Sequence, residues 1–118
     1  MDINEIIQNQ RQFDLRHGFK IIREPLEDKY KQISHELIGL FGEVGEIANI
    51  VKKINLSIDN NIAFELQDLV EKEEHIREEL IDVFIYFLRI SDFVDLDVDE
   101  EYNKKLQVNE NKYRGINE

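Results

Sequence analysis

Apolar residues recur every three to four positions along most of this chain, which is the spacing of one face of an α-helix. The segment 55–61 is rich in turn-forming residues, and residues 62–70 are compatible with a short additional helix. Pro25 is the only proline, so nothing in the sequence interrupts long helices after it. We therefore expect an all-α fold, a four-to-five-helix bundle, in a single domain spanning residues 1–118. The principal helices are predicted over residues 2–16, 28–53, 72–93 and 98–114.

The predicted helix 72–93 is apolar over more than half of its circumference. A helix with so wide an apolar arc is covered from two directions, as in the middle of a bundle or at a subunit interface. Glu78, Asp82 and Arg89 fall in its narrow polar strip, with Glu79 and Tyr86 at the border of the core. The expected core face consists of Ile76, Leu80, Val83, Phe84, Phe87 and Ile90.

The predicted helix 28–53 repeats this arrangement, with two acids beside an apolar stripe. Glu43 and Glu46 are three residues apart, so both side chains leave one side of the helix, as do Glu79 and Asp82 on the other helix. The expected core stripe consists of Leu37, Leu40, Phe41, Val44, Ile47, Ala48 and Val51.

Packing of the two helices through these stripes would bring four carboxylates together. Their mutual repulsion would raise their pKa values or loosen the fold, and a divalent cation would remove the conflict. Oxygen-only ligands favour Mg²⁺, with Mn²⁺ also possible, over zinc or copper. The alternative is that these acids belong to the solvated surface of a chain that contains 26 Asp and Glu residues.

Three glycines interrupt the same helix, although each costs about 1 kcal/mol relative to alanine in a helix interior. Gly39 precedes Glu43 by four residues and Gly42 precedes Glu46 by four, so the surface beneath each carboxylate lacks a side chain. Another helix or a ligand can approach there, and the spacing of these glycines and Gly45 does not decide between the two.

Composition narrows the classes of function. The formal charge of −11 disfavours nucleic-acid binding through a basic surface. The absence of cysteine excludes disulfides and thiolate chemistry. We expect no membrane span, and the first ten residues lack the basic start of a secretory signal, so a cytoplasmic location is expected.

The remaining polar residues offer fewer candidates. None of the three histidines follows a glutamate by three positions, as a di-iron bundle would require, and each is expected to be structural or solvent-facing. Asp97 is expected to be an N-cap paired with Glu100. On the last helix Lys105, Asn109 and Lys112 share a face near Tyr113, which indicates either an anion-binding surface or complementation of the helix dipole.

Three segments resemble the motifs of a known family. GEVGEIA and EELIDVFIYFL resemble the E-x-x-E and E-x-x-D elements of the MazG-like all-α nucleotide pyrophosphohydrolases, and KLQVNENKYR resembles their closing K-x-x-x-N-x-x-K/R-Y element. The resemblance covers about residues 30–114. The insert 47–78 between the two acidic motifs is longer than expected for compact members, and its role stays open.

The resemblance implies metal-dependent hydrolysis of a nucleoside triphosphate between its α and β phosphates, giving a monophosphate and pyrophosphate. It further implies a homodimer or homotetramer, and Glu46 is our candidate for orienting the water. A helical interaction module and a metal-responsive regulator without turnover remain alternatives, and the preferred base and sugar stay open. The implied Mg²⁺ ligands are Glu43, Glu46, Glu79 and Asp82, and the implied contacts to phosphate or base are Lys105, Asn109, Lys112 and Tyr113.

Overall fold

The computed structural model describes residues 1–60 and 65–115, and every regular element within them is an α-helix. This confirms the predicted all-α class. The four helices are α1 (Ile3–Arg16), α2 (Leu26–Asp59), α3 (Leu66–Phe93) and α4 (Val98–Lys112).

Two of the helices begin at aspartate caps. The carboxylate of Asp2 accepts a hydrogen bond from the backbone N–H of Glu5 at 2.9 Å. Asp97 does the same for the N–H of Glu100 at 3.1 Å, which confirms the predicted N-cap of α4. Each cap satisfies a backbone donor that the first helical turn leaves without a partner.

The predicted turn at residues 55–61 is wrong up to Asp59, because α2 continues to that residue. The hydroxyl of Ser57 donates to the carbonyl of Lys53 at 3.1 Å, so a turn-forming residue is accommodated within the helix. The side chain of Asn60 donates to the carbonyl of Leu56 at 2.8 Å at the helix end. Residues 61–64 lie outside the described part, and α3 begins at Leu66 rather than Lys72, so residues 66–70 form its first turns.

Among the described residues, α2 and α3 form the most extensive helix–helix contact, and α1 packs on α3 over a smaller area. Within the described residues, α4 makes only marginal contact with the other helices. Among the residues whose burial is described, few apolar side chains are buried, namely Ile33, Leu88 and Phe93, and Phe93 is completely inaccessible to solvent. The small core leaves much of the apolar surface of the two long helices uncovered.

The predicted core stripe of α2 is therefore wrong, because a different side of the helix faces α3. Phe41 is 69% exposed, and Leu37, Val44 and Val51 are exposed as well. The face turned to α3 is rotated, because the ring of Tyr86 on α3 occupies the space beside Gly39, where a side chain would collide with it. On α3, Leu80 and Ile81 are also exposed, so one of the two directions in which the wide apolar arc is expected to be covered stays open in the single chain.

The resulting shape is extended. The radius of gyration is 18.8 Å and the principal extents are 54 × 46 × 30 Å, whereas a compact chain of 100 residues has a radius of gyration of about 13 Å. In residues 1–60 and 65–115, no helix combines the length and the apolar character needed to traverse a bilayer.

Candidate metal centre

The contact between α2 and α3 brings the four predicted acids into two overlapping groups. Oxygens of Glu43, Glu79 and Asp82 lie within 4.8 Å of one another. A second group joins Glu46 and Glu79 with a ring nitrogen of His75, within the same 4.8 Å limit. Glu79 belongs to both groups and is therefore the centre of the cluster.

The acids differ strongly in their exposure. Glu79 is only 8% exposed, Glu43 is half-buried, and Glu46 and Asp82 are exposed. Among the described residues, the Oε2 atoms of Glu43 and Glu79 are inaccessible and have no hydrogen-bond donor. A buried carboxylate oxygen without a donor is costly, so the inner end of the cluster lacks a partner that its chemistry requires.

The pKa of Glu79 reflects this arrangement. The neighbouring carboxyl of Glu43 is the largest cause that raises the pKa of Glu79 to about 8, followed by burial and the carboxyl of Glu46. A pKa of about 8 lies above neutral pH, so the metal-free cluster holds a proton at pH 7. That proton serves as the positive charge that the repelling carboxylates need.

The donor set fits a hard divalent ion. In the described part of the chain, no Lys or Arg forms an ion pair with any of the four acids. Several carboxylate oxygens converge, two of them buried and without donors, and hard cations such as Mg²⁺ and Mn²⁺ take oxygen ligands of this kind. These residues can therefore hold such an ion in place of the shared proton.

The glycines of α2 serve different purposes. A Cβ on Gly39 would lie 2.5 Å from the Tyr86 ring, so this glycine permits the close approach of α2 and α3, as in the helix-packing interpretation. Apart from the backbone of α2 itself, no atom of the described residues lies within 4 Å of a Cβ built on Gly42 or Gly45, so the space before Glu46 is open in the single chain.

Sequence reasoning missed His75 as a member of the cluster. Its Nε2 lies 3.2 Å from Oε1 of Glu79, one helical turn further along α3. The four-residue spacing between His75 and Glu79 was the available signal, because residues at that spacing share a helix face. The search for Glu-x-x-His motifs looks three residues before each histidine and therefore passes over a glutamate that follows.

The predicted phosphate-binding residues lie apart from this cluster in the single chain. Lys105, Asn109 and Lys112 are on α4, and Tyr113 caps its C-terminus, with the Lys112 ammonium 5.4 Å from the Tyr113 ring centre. Among the described residues, no hydrogen bond or ion pair joins them to the four acids. Neighbouring Lys104 is already paired with Glu100 at 3.2 Å.

A second buried polar cluster lies further along α3. Arg89 binds Asp14 of α1 through two hydrogen bonds of 2.9 and 3.1 Å. Its guanidinium is also 3.8 Å from the carboxylate of Glu36 on α2 and lies over the Phe19 ring. The predicted position of Arg89 in the outer polar strip is therefore wrong, because Asp14 and Glu36 draw it between the helices.

A cleft of about 610 Å³ near the end of α3 is a weaker candidate for a ligand site. Its arginines already have partners: Arg11 and Arg23 both pair with Asp92, and Arg23 also binds Asp95 at 2.9 Å. Positive side chains neutralised in this way have less attraction left for an anionic ligand than unpaired ones.

Comparison with known proteins gives no relative for this chain. No family model, no curated protein and no solved structure matches it. The resemblance of three sequence motifs to the MazG-like enzymes therefore stays a prediction, and the function has to be inferred from the residues of the site.

Proposed function

We propose that the chain is a metal-dependent nucleotide pyrophosphohydrolase that cleaves a nucleoside triphosphate between its α and β phosphates. The observation that carries this proposal is the convergence of carboxylates from α2 and α3 on the buried Glu79, with inner oxygens that lack donors. Metal-bound carboxylate clusters are suited to phosphate chemistry, because phosphate oxygens can complete the ligand set of the ion.

Each acid has a distinct part in this proposal. Glu43, Glu79 and Asp82 hold Mg²⁺, which supplies polarisation of phosphorus and neutralisation of the departing pyrophosphate. Glu46 is the fourth ligand of the ion and, because it is exposed, is also accessible to a water molecule, whose proton it accepts. The water oxygen bonds to phosphorus, the bond to the bridging oxygen breaks, and monophosphate and pyrophosphate leave.

The substrate is strongly anionic, and the net charge of the chain is −11. A local cluster of cations is therefore needed, and Lys105 and Lys112 on α4 supply one, with Asn109 and Tyr113 on the same surface. In the single chain α4 packs only marginally on the other helices. We propose that α4 contacts the nucleotide after it packs against an α2–α3 pair, in its own chain or in a second copy.

We further propose that the functional unit is a homodimer or a homotetramer. The chain exposes 9243 Å², and a compact protein of its mass exposes roughly 6,700 Å². The excess is about 2,500 Å² per chain, or roughly 5,000 Å² for a pair, which lies at the upper end of the total area that obligate homodimers bury. A second copy of α2 and α3 would cover Phe41, Val44 and Ile81, which are exposed apolar side chains on the two longest helices.

The test is a panel of canonical and damaged nucleoside triphosphates, incubated with the full chain and Mg²⁺ and assayed for pyrophosphate. We expect release from at least one nucleotide, and its loss in Glu79→Ala and Asp82→Ala while the helical content is retained. Glu78→Gln is the matched control, because Glu78 is an exposed neighbour on the same helix. Full activity in both alanine variants would remove the site assignment, and no release from any nucleotide would remove the enzymatic proposal.

A parallel measurement of molecular mass separates the alternatives. A metal-responsive regulator would change its assembly state with Mg²⁺ or Mn²⁺ without consuming nucleotide. A helical interaction module would keep its partner binding in Glu46→Gln and would hydrolyse nothing. A monomer at all concentrations, with or without metal, would overturn the proposed oligomer.

A further inference from the structure

We propose that His75 is a metal ligand, and that with Glu46 and Glu79 it forms a mixed nitrogen–oxygen position that prefers a transition-metal dication of the Mn²⁺ type to Mg²⁺. This inference rests on the acidic cluster of the proposed function but does not depend on catalysis.

The distances among these residues suit ligands of a single ion. His75 Nε2 and Glu79 Oε1 are 3.2 Å apart. Adjacent ligands of an octahedral ion with bonds of about 2.1 Å are separated by about 3 Å, so the pair can bind one ion with little movement. A Glu46 oxygen lies within 4.8 Å of the other two donor atoms, which is within reach of a third position on the same ion.

The carboxylate of Glu79 is buried, and only one of its two oxygens has a partner. The side chain of Glu79 is 11% exposed, and its Oε2 has no donor among the described residues. Its Oε1 faces His75, so the unpaired Oε2 leaves the carboxylate able to bind an ion on its other side. The side chain of His75 is 54% exposed, so the ring can exchange solvent for a metal without opening the fold.

The chemistry of the imidazole then determines the choice of metal. Mg²⁺ prefers oxygen ligands and keeps several waters, and so gains little from a ring nitrogen. First-row transition-metal dications gain more from an imidazole nitrogen than Mg²⁺ does, and their affinities rise along the series from manganese, the weakest, to copper. The all-oxygen group of Glu43, Glu79 and Asp82 would suit Mg²⁺, whereas the group that contains His75 shifts the cluster towards Mn²⁺ and its heavier neighbours.

The decisive experiment is pulsed electron paramagnetic resonance of the full chain, first freed of metal and then loaded with Mn²⁺. A nitrogen bound directly to Mn²⁺ gives a characteristic ¹⁴N coupling. We expect this coupling in the wild-type chain and in His35→Gln, which replaces an exposed histidine on α2, and its loss in His75→Gln. Calorimetric titrations should show at least a tenfold loss of Mn²⁺ affinity in His75→Gln and a loss of Mg²⁺ affinity below threefold.

The absence of ¹⁴N coupling in the wild-type chain would overturn this inference, because His75 would then only orient Glu79. Equal losses of Mn²⁺ and Mg²⁺ affinity would overturn the claimed preference. These outcomes are separate from those of the proposed function. Coupling without pyrophosphate release would overturn the enzymatic proposal and support His75 as a metal ligand. Release without coupling would support the enzymatic proposal and overturn His75 as a ligand.

Discussion

Helix α3 carries two buried acidic clusters that are neutralised in opposite ways. Towards its C-terminal end, Asp14 and Glu36 gather around Arg89, which the chain itself supplies. Nearer its N-terminal end, Glu43, Glu46 and Asp82 gather around Glu79, and in the described residues neither lysine nor arginine joins them. The first cluster is neutralised by an arginine of the fold, and the second, in the described residues, only by the proton that its raised pKa retains.

The pKa shifts of the two buried glutamates show the same contrast. Burial raises the pKa of Glu36, and the charge of Arg89 opposes that rise. At Glu79 the neighbouring carboxyl groups and burial all raise the pKa, to about 8, without an opposing cation. A cluster that only stabilises the fold is expected to contain its own neutralising cation, as the Arg89 cluster does. The Glu79 cluster contains none among the described residues, so it is the one that we associate with a ligand.

The comparison predicts opposite effects of removing one charge from each cluster. Arg89→Met should lower the free energy of unfolding by about 3 kcal/mol, because two buried carboxylates lose their partner. Glu79→Gln should leave the metal-free protein as stable as before or more so, because repulsion falls. Urea unfolding without metal measures both, with Arg77→Met as an exposed control on the same helix. A destabilising Glu79→Gln together with a neutral Arg89→Met would reverse our assignment of the two clusters.

The pH dependence of stability should differ in the same way. A carboxyl group with a pKa raised to about 8 in the folded state binds a proton more tightly than it does in the unfolded chain. Its contribution is fully present below about pH 4 and is lost as the pH rises to about 8, because the unfolded state then releases its proton first. We expect the metal-free protein to lose stability between pH 5 and 8.5.

Two variants assign that loss. Glu79→Gln should flatten the decline, whereas Glu78→Gln should leave it unchanged. Saturating Mg²⁺ should also reduce the decline, since the ion replaces the proton. Unfolding curves at pH 5, 7 and 8.5 provide the measurement. An equal slope in Glu79→Gln and in the wild-type chain would place the responsible group elsewhere.

The glycines allow a finer test of what approaches the second cluster. Gly42→Ala should stabilise the metal-free chain by up to about 1 kcal/mol, because a better helix former enters open space. Gly39→Ala should destabilise it, because the methyl group would meet the Tyr86 ring. Thermal unfolding of the two variants measures the difference, and equal Tm values would contradict the close approach at Gly39.

Activity extends this test to Gly42. We expect Gly42→Leu to reduce pyrophosphate release more than Gly42→Ala does, because leucine fills the space before Glu46. Normal turnover in a merely more stable Gly42→Leu variant would show that neither substrate nor a second copy uses that space.

Periodicity predicted much of the architecture, and spacing identified the acids. The helical class and the Asp97 cap follow from local signals, and the three-residue spacing identified the acids that converge on Glu79. The continuation of α2 through Ser57 was missed because serine can bond to the preceding turn and stay helical. Local preference alone does not distinguish that outcome from a turn.

The orientation of the long helices could not be read from the sequence. Both α2 and α3 have apolar residues on more than one side, so the hydrophobic pattern does not determine which side of each helix faces the other. The fit of Tyr86 against Gly39 decides it and leaves Phe41 exposed, while Asp14 and Glu36 draw Arg89 inward. His75 was missed for a related reason, because its role depends on a carboxylate that the packing makes buried.

The central claim is that the cluster around Glu79 exchanges a proton for a divalent cation. Calorimetric titration of the metal-free chain with Mg²⁺ at pH 7, in two buffers with different ionisation enthalpies, tests it most directly. We expect saturable binding that releases about one proton per site, with both the binding and the release lost in Glu79→Gln and retained in Glu78→Gln. Absence of binding by the wild-type chain, or the same binding and proton release in Glu79→Gln, would contradict the claim.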